Sequence, residues 1–245
     1  MKKILIFLFV ILTFSLSAQN VKIAAAANLK YILDEIKTKY SLINPKAKIT
    51  VSLGASGVLY QQIINGADFD LFMAADKIYP DKLKAQRMAN GEVKTYGFGK
   101  LVIWSNTVDI KNGLDILTDK SVHKIAIAKP EVAPYGARAV ESLKYFNLYE
   151  KVKDKIVYGD NIAQVAQFAQ TGNAEIGFLA LSMAMFPEMG GTYYILDPNS
   201  YKPVEQAMVL LKTWERNPEA SKFMNFVLSD DCKSIFEKYG FIVPK

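Results

Sequence analysis

Sulfur and imidazole chemistry are nearly missing from this sequence. Cys232 is the single cysteine of the 245 residues, so no disulfide can close within the chain. It stands with Ile235, Phe236 and Tyr239 at the i, i+3, i+4 and i+7 spacing of one helical face, which reads as a buried, inert thiol. His123 is the single histidine and has no Cys or His companions, which sets aside a zinc site of that kind. A Ser-His-Asp triad could draw only on His123, and nothing around it supports one. No Gly-Lys-Ser/Thr follows a glycine-rich segment, so a phosphate loop is excluded. Lys and Arg are dispersed, with no basic stripe and no nucleic-acid module. Short-period repeats and low-complexity segments are absent as well.

Long apolar runs are missing except at the start. Lys2 and Lys3 precede an almost unbroken apolar run over 4–14, and Ser15, Leu16, Ser17 and Ala18 supply small residues for cleavage. That order reads as a secretory signal peptide over 1–18. The competing reading is an uncleaved anchor, but the run is short of the ~20 residues a span needs. No cysteine follows the cleavage region, which argues against a lipid-anchored lipoprotein, and a soluble protein released into a periplasm fits. The formal charge of +6 includes Lys2 and Lys3. Without them about +4 remains, compatible with anionic partners and equally with plain solubility.

What is present is half apolar, and strands alternate with helices. Strands are expected over 21–26, 49–53 and 70–74. Helices follow them, marked by Leu29, Ile32, Leu33, Ile36 and Tyr40, then by Val58, Leu59, Gln62 and Ile63, then over 79–88. This βαβαβα order predicts a parallel sheet covered by helices. A change follows at Gly97-Phe98-Gly99. Strands are next expected over 100–104, 124–128, 155–158 and 176–181, with helices over 135–145 and 162–171. A returning strand over 206–211 and helices over 218–228 and 231–239 complete the chain. The expectation is an α/β protein of two lobes, each a mainly parallel sheet flanked by helices, with a ligand cleft between them that closes by hinge motion. Lobe I takes 19–98 plus 206–245, and lobe II takes 99–205.

Four strand-to-helix junctions share a character. They are Ala24-Ala25-Ala26-Ala27-Asn28, Gly54-Ala55-Ser56-Gly57, Pro130-Glu131-Val132-Ala133-Pro134-Tyr135-Gly136 and Tyr158-Gly159-Asp160-Asn161-Ile162. None carries Lys or Arg. A helix N-terminus presents unpaired N–H groups and partial positive charge, and small residues let that backbone approach a guest. Several such termini in one cleft make an anion site without a formal cation. Asn28 and Ser56 add side-chain donors. A protonated phosphate would also want a buried acceptor, for which Asp160 is the local candidate. Asn28, Ser56 and Asp160 are equally ordinary N-cap types, so spacing alone leaves both readings open.

At these residues the sequence resembles the molybdate-binding proteins of ABC importers, the ModA type. The resemblance runs in order through 21–29, through Gly54-Ala55-Ser56-Gly57 with Gln62, Ile63 and Gly66-Ala67-Asp68, and through 70–76. It continues at Ala133-Pro134-Tyr135-Gly136, at Gly159-Asp160-Asn161-Ile162 and over 235–241. The resemblance implies a type II periplasmic binding fold in the periplasm and no enzymatic activity. It implies no cofactor, molybdate or tungstate as the ligand, a transient ABC permease partner and a monomer. Molybdenum would enter only within the bound oxyanion. The resemblance also implies that Ser56 donates its hydroxyl and N–H, that Asn28 stands where many members have serine, and that Tyr135 and Ile162 contribute N–H groups. Asp160 is expected to cap its helix and avoid the ligand. Ala180 stands where many members place a tyrosine hydroxyl, a departure from the common pattern. Rival readings are a binder of sulfate, phosphate or ferric ion, a ligand-presenting sensor, and an enzyme on a similar fold, for which the junctions offer Ser56 without a base.

Overall fold

The computed structural model describes residues 20–212, 215 and 217–244. The signal peptide reading over 1–18 lies outside them. The first sheet has the order β2-β1-β3-β10-β4, from β1 (Asn20–Ala26), β2 (Lys48–Gly54), β3 (Leu71–Ala74), β4 (Ala89–Gly99) and β10 (Val204–Leu211). The second sheet repeats that plan as β7-β6-β8-β5-β9. Its strands are β5 (Leu101–Ser105), β6 (Ile125–Ala128), β7 (Ile156–Gly159), β8 (Ile176–Ala180) and β9 (Thr192–Ile195). Both sheets are mixed. β1 runs parallel to β2 and β3, while β10 runs antiparallel to β3 and β4. In the second sheet β6 runs parallel to β7 and β8, while β5 is antiparallel to β8 and β9.

The single reversed strand in each sheet is the one that enters from the other sheet. β4 ends at Gly99 and β5 begins at Leu101; β9 ends at Ile195 and β10 begins at Val204. Strands β1, β2, β3, β6 and β7 deliver their carboxyl ends, and hence their ligand-facing loops, to the cleft. A strand that starts at the cleft must run away from it. β10 and β5 therefore lie antiparallel, and the first residues of β10 sit at the cleft rather than at the far end of the sheet.

Helices cover the sheets because their apolar positions recur at helical spacing. α1 (Lys30–Ile43) buries Ile32, Leu33, Ile36 and Tyr40. It shares an apolar cluster with α8 (Pro218–Val227) and α9 (Asp230–Lys238) on one face of the first sheet. α2 (Ser56–Ile64) and α3 (Ile78–Ala85) cover the other face through Leu59, Tyr60, Ile63 and Leu83. In the second lobe, α4 (Pro134–Tyr145), the short α5 (Tyr149–Val152), α6 (Ile162–Gln170) and the short α7 (Leu181–Ala184) surround Trp104, Ile127, Phe178 and Leu179. Glu219 of α8 is fully buried, a position an ionised carboxylate tolerates only with partners. Tyr40 and Asn44 donate to its Oε1, and Lys222 Nζ lies 3.2 Å from its Oε2. No helix among the described residues is long and apolar enough to cross a membrane.

Cys232 is fully buried on the inner face of α9 beside Ile235 and Phe236, as its spacing predicts. Burial pushes its thiol up to about 11. Since the thiolate is the reactive species, the folded protein is expected to react with Ellman's reagent at pH 8 at least about a hundredfold more slowly than the urea-unfolded chain. Equal rates would show that the face of α9 opens readily.

Candidate functional site

Three helices begin at the carboxyl ends of β2, β6 and β7, and the spare donors at their first turns follow from simple counting. In α2, the N–H of Leu59 bonds Ala55 O, and that of Gly57 crosses to Val132 O at 2.8 Å. The N–H groups of Ser56, the first of the helix, and of Val58 remain, and of these two residues Ser56 lines the cavity. In α4, Pro134 has no N–H to satisfy, and the Ala137 N–H bonds Ala133 O. Tyr135 carries the first N–H. In α6, Asn161 Oδ1 caps the N–H groups of Ala163 and Gln164 at 2.9 and 3.2 Å, leaving that of Ile162. A first-turn N–H has no partner inside its own helix. The residues that carry these three leading N–H groups line one small cavity together with Ala26, Ala27, Asn28, Ala55, Ala75 and Ala133. Asn28, Ser56, Tyr135 and Ile162, named from separate junctions, all meet there, and each is at least 95% buried.

Side chains complete the lining. Ser56 Oγ accepts the Ala75 N–H at 2.9 Å, which satisfies the oxygen and leaves its proton to be donated. Asn28 Nδ2 donates to Gln206 Oε1 at 3.0 Å. Gln206 Nε2 donates to the Tyr135 hydroxyl at 2.9 Å, and the Tyr96 hydroxyl lies 3.0 Å from Gln206 Oε1 and 2.8 Å from Ala74 O. Burial pushes the Tyr96 and Tyr135 phenols well above the usual tyrosine range, so both hold their protons. Gln206 and Tyr96 were not among the residues singled out from sequence. Their signal there is faint: one polar residue at the head of an apolar strand, and one tyrosine among thirteen.

Two close approaches depend on glycine. A Cβ on Gly99 would lie 2.1 Å from the Tyr135 hydroxyl and 2.6 Å from Gln206 Nε2. A Cβ on Gly136 would lie 1.9 Å from Ala128 O, so only glycine lets the first turn of α4 rest on the end of β6.

The expectation for Asp160 is half corrected. It stays out of the cavity, but it does not cap α6; Asn161 does. The Asp160 carboxylate turns outward to Lys129 Nζ at 2.6 Å and is 66% exposed, because a charge there gains solvent as well as a cation. Ser56 is likewise not a side-chain cap, since its hydroxyl reaches across to β3. Ala180 closes β8, fully buried, and is not part of the lining. His123 is exposed just ahead of β6, at the strand end remote from the cavity. Among the described residues no cluster of three or more His, Cys, Asp or Glu could hold a metal ion. Every lining group is uncharged at neutral pH.

The two sheets are closed over this cavity. Gly57 N–H to Val132 O, Gln206 to Tyr135, and Ser182 Oγ to Asn28 O at 3.1 Å tie them together beside it. Elsewhere between the lobes the rings of Tyr31 and Phe186 stack at 3.5 Å and 11°. Two similar sheets joined by crossing strands, with uncharged donors from both enclosing one small cavity, define a two-lobed binding protein. The chain belongs to the family of bacterial extracellular solute-binding proteins, which it matches over residues 21–242. It is 39% identical to the molybdate-binding protein ModA of Rhodobacter capsulatus over 198 residues, covering 79% of this chain and 77% of that one. Identity to the Azotobacter vinelandii molybdate-binding protein ModA is 35% over 228 residues, 91% and 90% of the two chains. The solved periplasmic molybdate-binding protein of Azotobacter vinelandii superposes with a TM-score of 0.86 at 29% identity, covering 92% of this chain and all of that one.

Gly136→Ala is expected to cost ~1–3 kcal/mol, the range for forcing atoms into a packed site, and to lower the thermal midpoint by several degrees. A scanning-calorimetry trace unchanged from the unmodified protein would contradict the contact with Ala128 O.

Proposed function

We propose that this chain captures molybdate outside the cytoplasmic membrane and delivers it to an ABC permease. The observation that carries the reading is the set of unspent donors: the N–H groups of Ser56, Tyr135 and Ile162 and the hydroxyl proton of Ser56, gathered from both lobes with no cation among them. A guest for such a site is compact, strongly charged and rich in acceptors. A tetrahedral oxyanion has these properties, and the named function of the ModA relatives supports molybdate. Tungstate, with the same charge and shape, is the second expected ligand.

In this reading Ser56 donates its hydroxyl and N–H, Asn28 its amide, and Tyr135 and Ile162 their N–H groups. The ligand brings the molybdenum, and no cofactor takes part. Binding rather than catalysis is the role, because a cavity lined by uncharged groups offers neither a nucleophile with its base nor an acid–base pair. The leader over 1–18 directs export to the periplasm, where the chain acts as a monomer. Lobes of 19–98 plus 206–245 and of 99–205 open to admit the hydrated anion and close as fixed dipoles replace its water. Size sets selectivity: fixed donors cannot all reach a smaller tetrahedron such as sulfate.

A ligand bound only by the folded state stabilises it, by ~2.7 kcal/mol at a hundred times Kd. Molybdate and tungstate are therefore expected to raise the thermal midpoint of the protein well above the effect of sulfate or phosphate. Absence of a rise with either would sink the reading. Ser56→Ala is expected to weaken molybdate binding by ~1.5–3 kcal/mol in titration calorimetry, the value of a charge-assisted hydrogen bond. An unchanged affinity would remove Ser56 from the site.

A further inference from the structure

Asn28 carries an unresolved account. It is 99% buried and lines the cavity, and its Oδ1 has no hydrogen-bond partner. A carbonyl oxygen left bare beside three N–H groups and a hydroxyl would repel an oxyanion at the one point where a donor is wanted. The trouble extends through its neighbours. Tyr96 has one proton for two oxygens, Ala74 O at 2.8 Å and Gln206 Oε1 at 3.0 Å. Tyr135 accepts from Gln206 Nε2 and donates to none of the described residues.

Turning the terminal amides of Asn28 and Gln206 over together settles every one of these groups without moving a backbone atom. Gln206 Nε2 then donates one proton to Asn28 Oδ1 and the other to the Tyr96 oxygen. Tyr96 gives its proton to Ala74 O. Tyr135 gives its proton to Gln206 Oε1. Asn28 Nδ2 faces the cavity as a donor. An amide has the same shape either way round, so the partners decide its sense. Here both phenols are held protonated by burial, and Gly99 leaves them room to reach Gln206.

We infer that Gln206 is a positioning residue: held between the Tyr96 and Tyr135 hydroxyls, it fixes the Asn28 amide with its N–H toward the ligand, and so selects oxyanions that carry no proton. The inference rests on the oxyanion reading above. Gln206 is fully buried at the head of β10 and acts only through Asn28. A hydrogenphosphate would need an acceptor for its proton, and Asn28 Oδ1 is occupied by Gln206 in the settled network. Molybdate needs none.

The test is a double-mutant cycle with molybdate titrated into the unmodified protein, Asn28→Ala, Gln206→Met and the double variant. Asn28→Ala and Gln206→Met are each expected to lower affinity by about tenfold, and the double variant to fall within about twofold of Asn28→Ala alone, since coupled groups do not add. Gln206→Met is also expected to narrow the preference for molybdate over hydrogenphosphate at pH 7, because a freed amide can present either end. Losses that multiply, or equal weakening of both anions, would reduce Gln206 to a structural residue and overturn the inference. Should Gln206→Met fold poorly, the unmodified ¹⁵N-labelled protein decides. Saturating molybdate is expected to shift the Asn28 side-chain N–H pair and slow its exchange with water, and an unmoved pair overturns the inference. No binding of molybdate by the unmodified protein would overturn the function itself, a result distinct from binding with an additive cycle.

Discussion

The site depends on donors left unspent. Folding normally pairs every buried N–H, and an orphan costs about 1–3 kcal/mol. Here the leading N–H groups of α2, α4 and α6 are kept free at the cavity, while several of those that follow them are paired. Gly57 spends its N–H on Val132 O, Pro134 has none, and Asn161 caps the two N–H groups beyond Ile162. Those three local devices differ, yet each leaves the leading N–H of its helix. The Ser56 hydroxyl follows the same pattern from the side chain, accepting from Ala75 and holding its proton in reserve. What elsewhere would be defects are, in the proposed reading, the means of holding an anion with no counter-charge.

Topology explains why such donors can gather. Parallel strands deliver helix starts to one edge of each sheet, and two sheets facing edge to edge double the number. The crossing strands do more than link the lobes. By running against their neighbours, they bring their leading residues to the cleft, and this places Gln206 beside Asn28 instead of deep in the first lobe. Gly99, the last residue of the outgoing crossing, lies against the same amide. Both passages between lobes thus touch the hydrogen-bond network behind the cavity.

Most of the architecture was legible because it is amphipathic at the expected periods. Strands β1 and β3 are buried along most or all of their length, and α1 and α9 turn single apolar faces inward. The strands that escaped notice lack this pattern. β4 is polar and glycine-rich over most of its length, and β9 is four exposed residues; both are sheet edges defined by their pairing rather than by burial. Four residues that line the cavity were legible as helix starts beside small residues. Asp160 was misplaced by one position, since Asp and Asn cap helices about equally well and only tertiary context, here Lys129, separates them. Gln206 was not legible as a site residue, because its role comes from partners far away in sequence: Asn28, Tyr96 and Tyr135.

Closure and charge are two sides of one balance. The direct ties between lobes are few, a handful of hydrogen bonds beside the cavity and one ring stack among them. Against them stand three helix N-termini, each carrying roughly half a positive charge, brought together in a dry space. Alone, those like ends repel, and the lobes have reason to part. A doubly negative guest reverses the sign of that term, since roughly one and a half positive charges then face two negative ones at hydrogen-bond range. In the proposed reading the anion therefore does not merely fill the cleft but adds to those ties an attraction that offsets the repulsion. A neutral solute of the same size would fill the space and leave the repulsion in place. In the proposed reading, discrimination by charge and discrimination by closure are the same event.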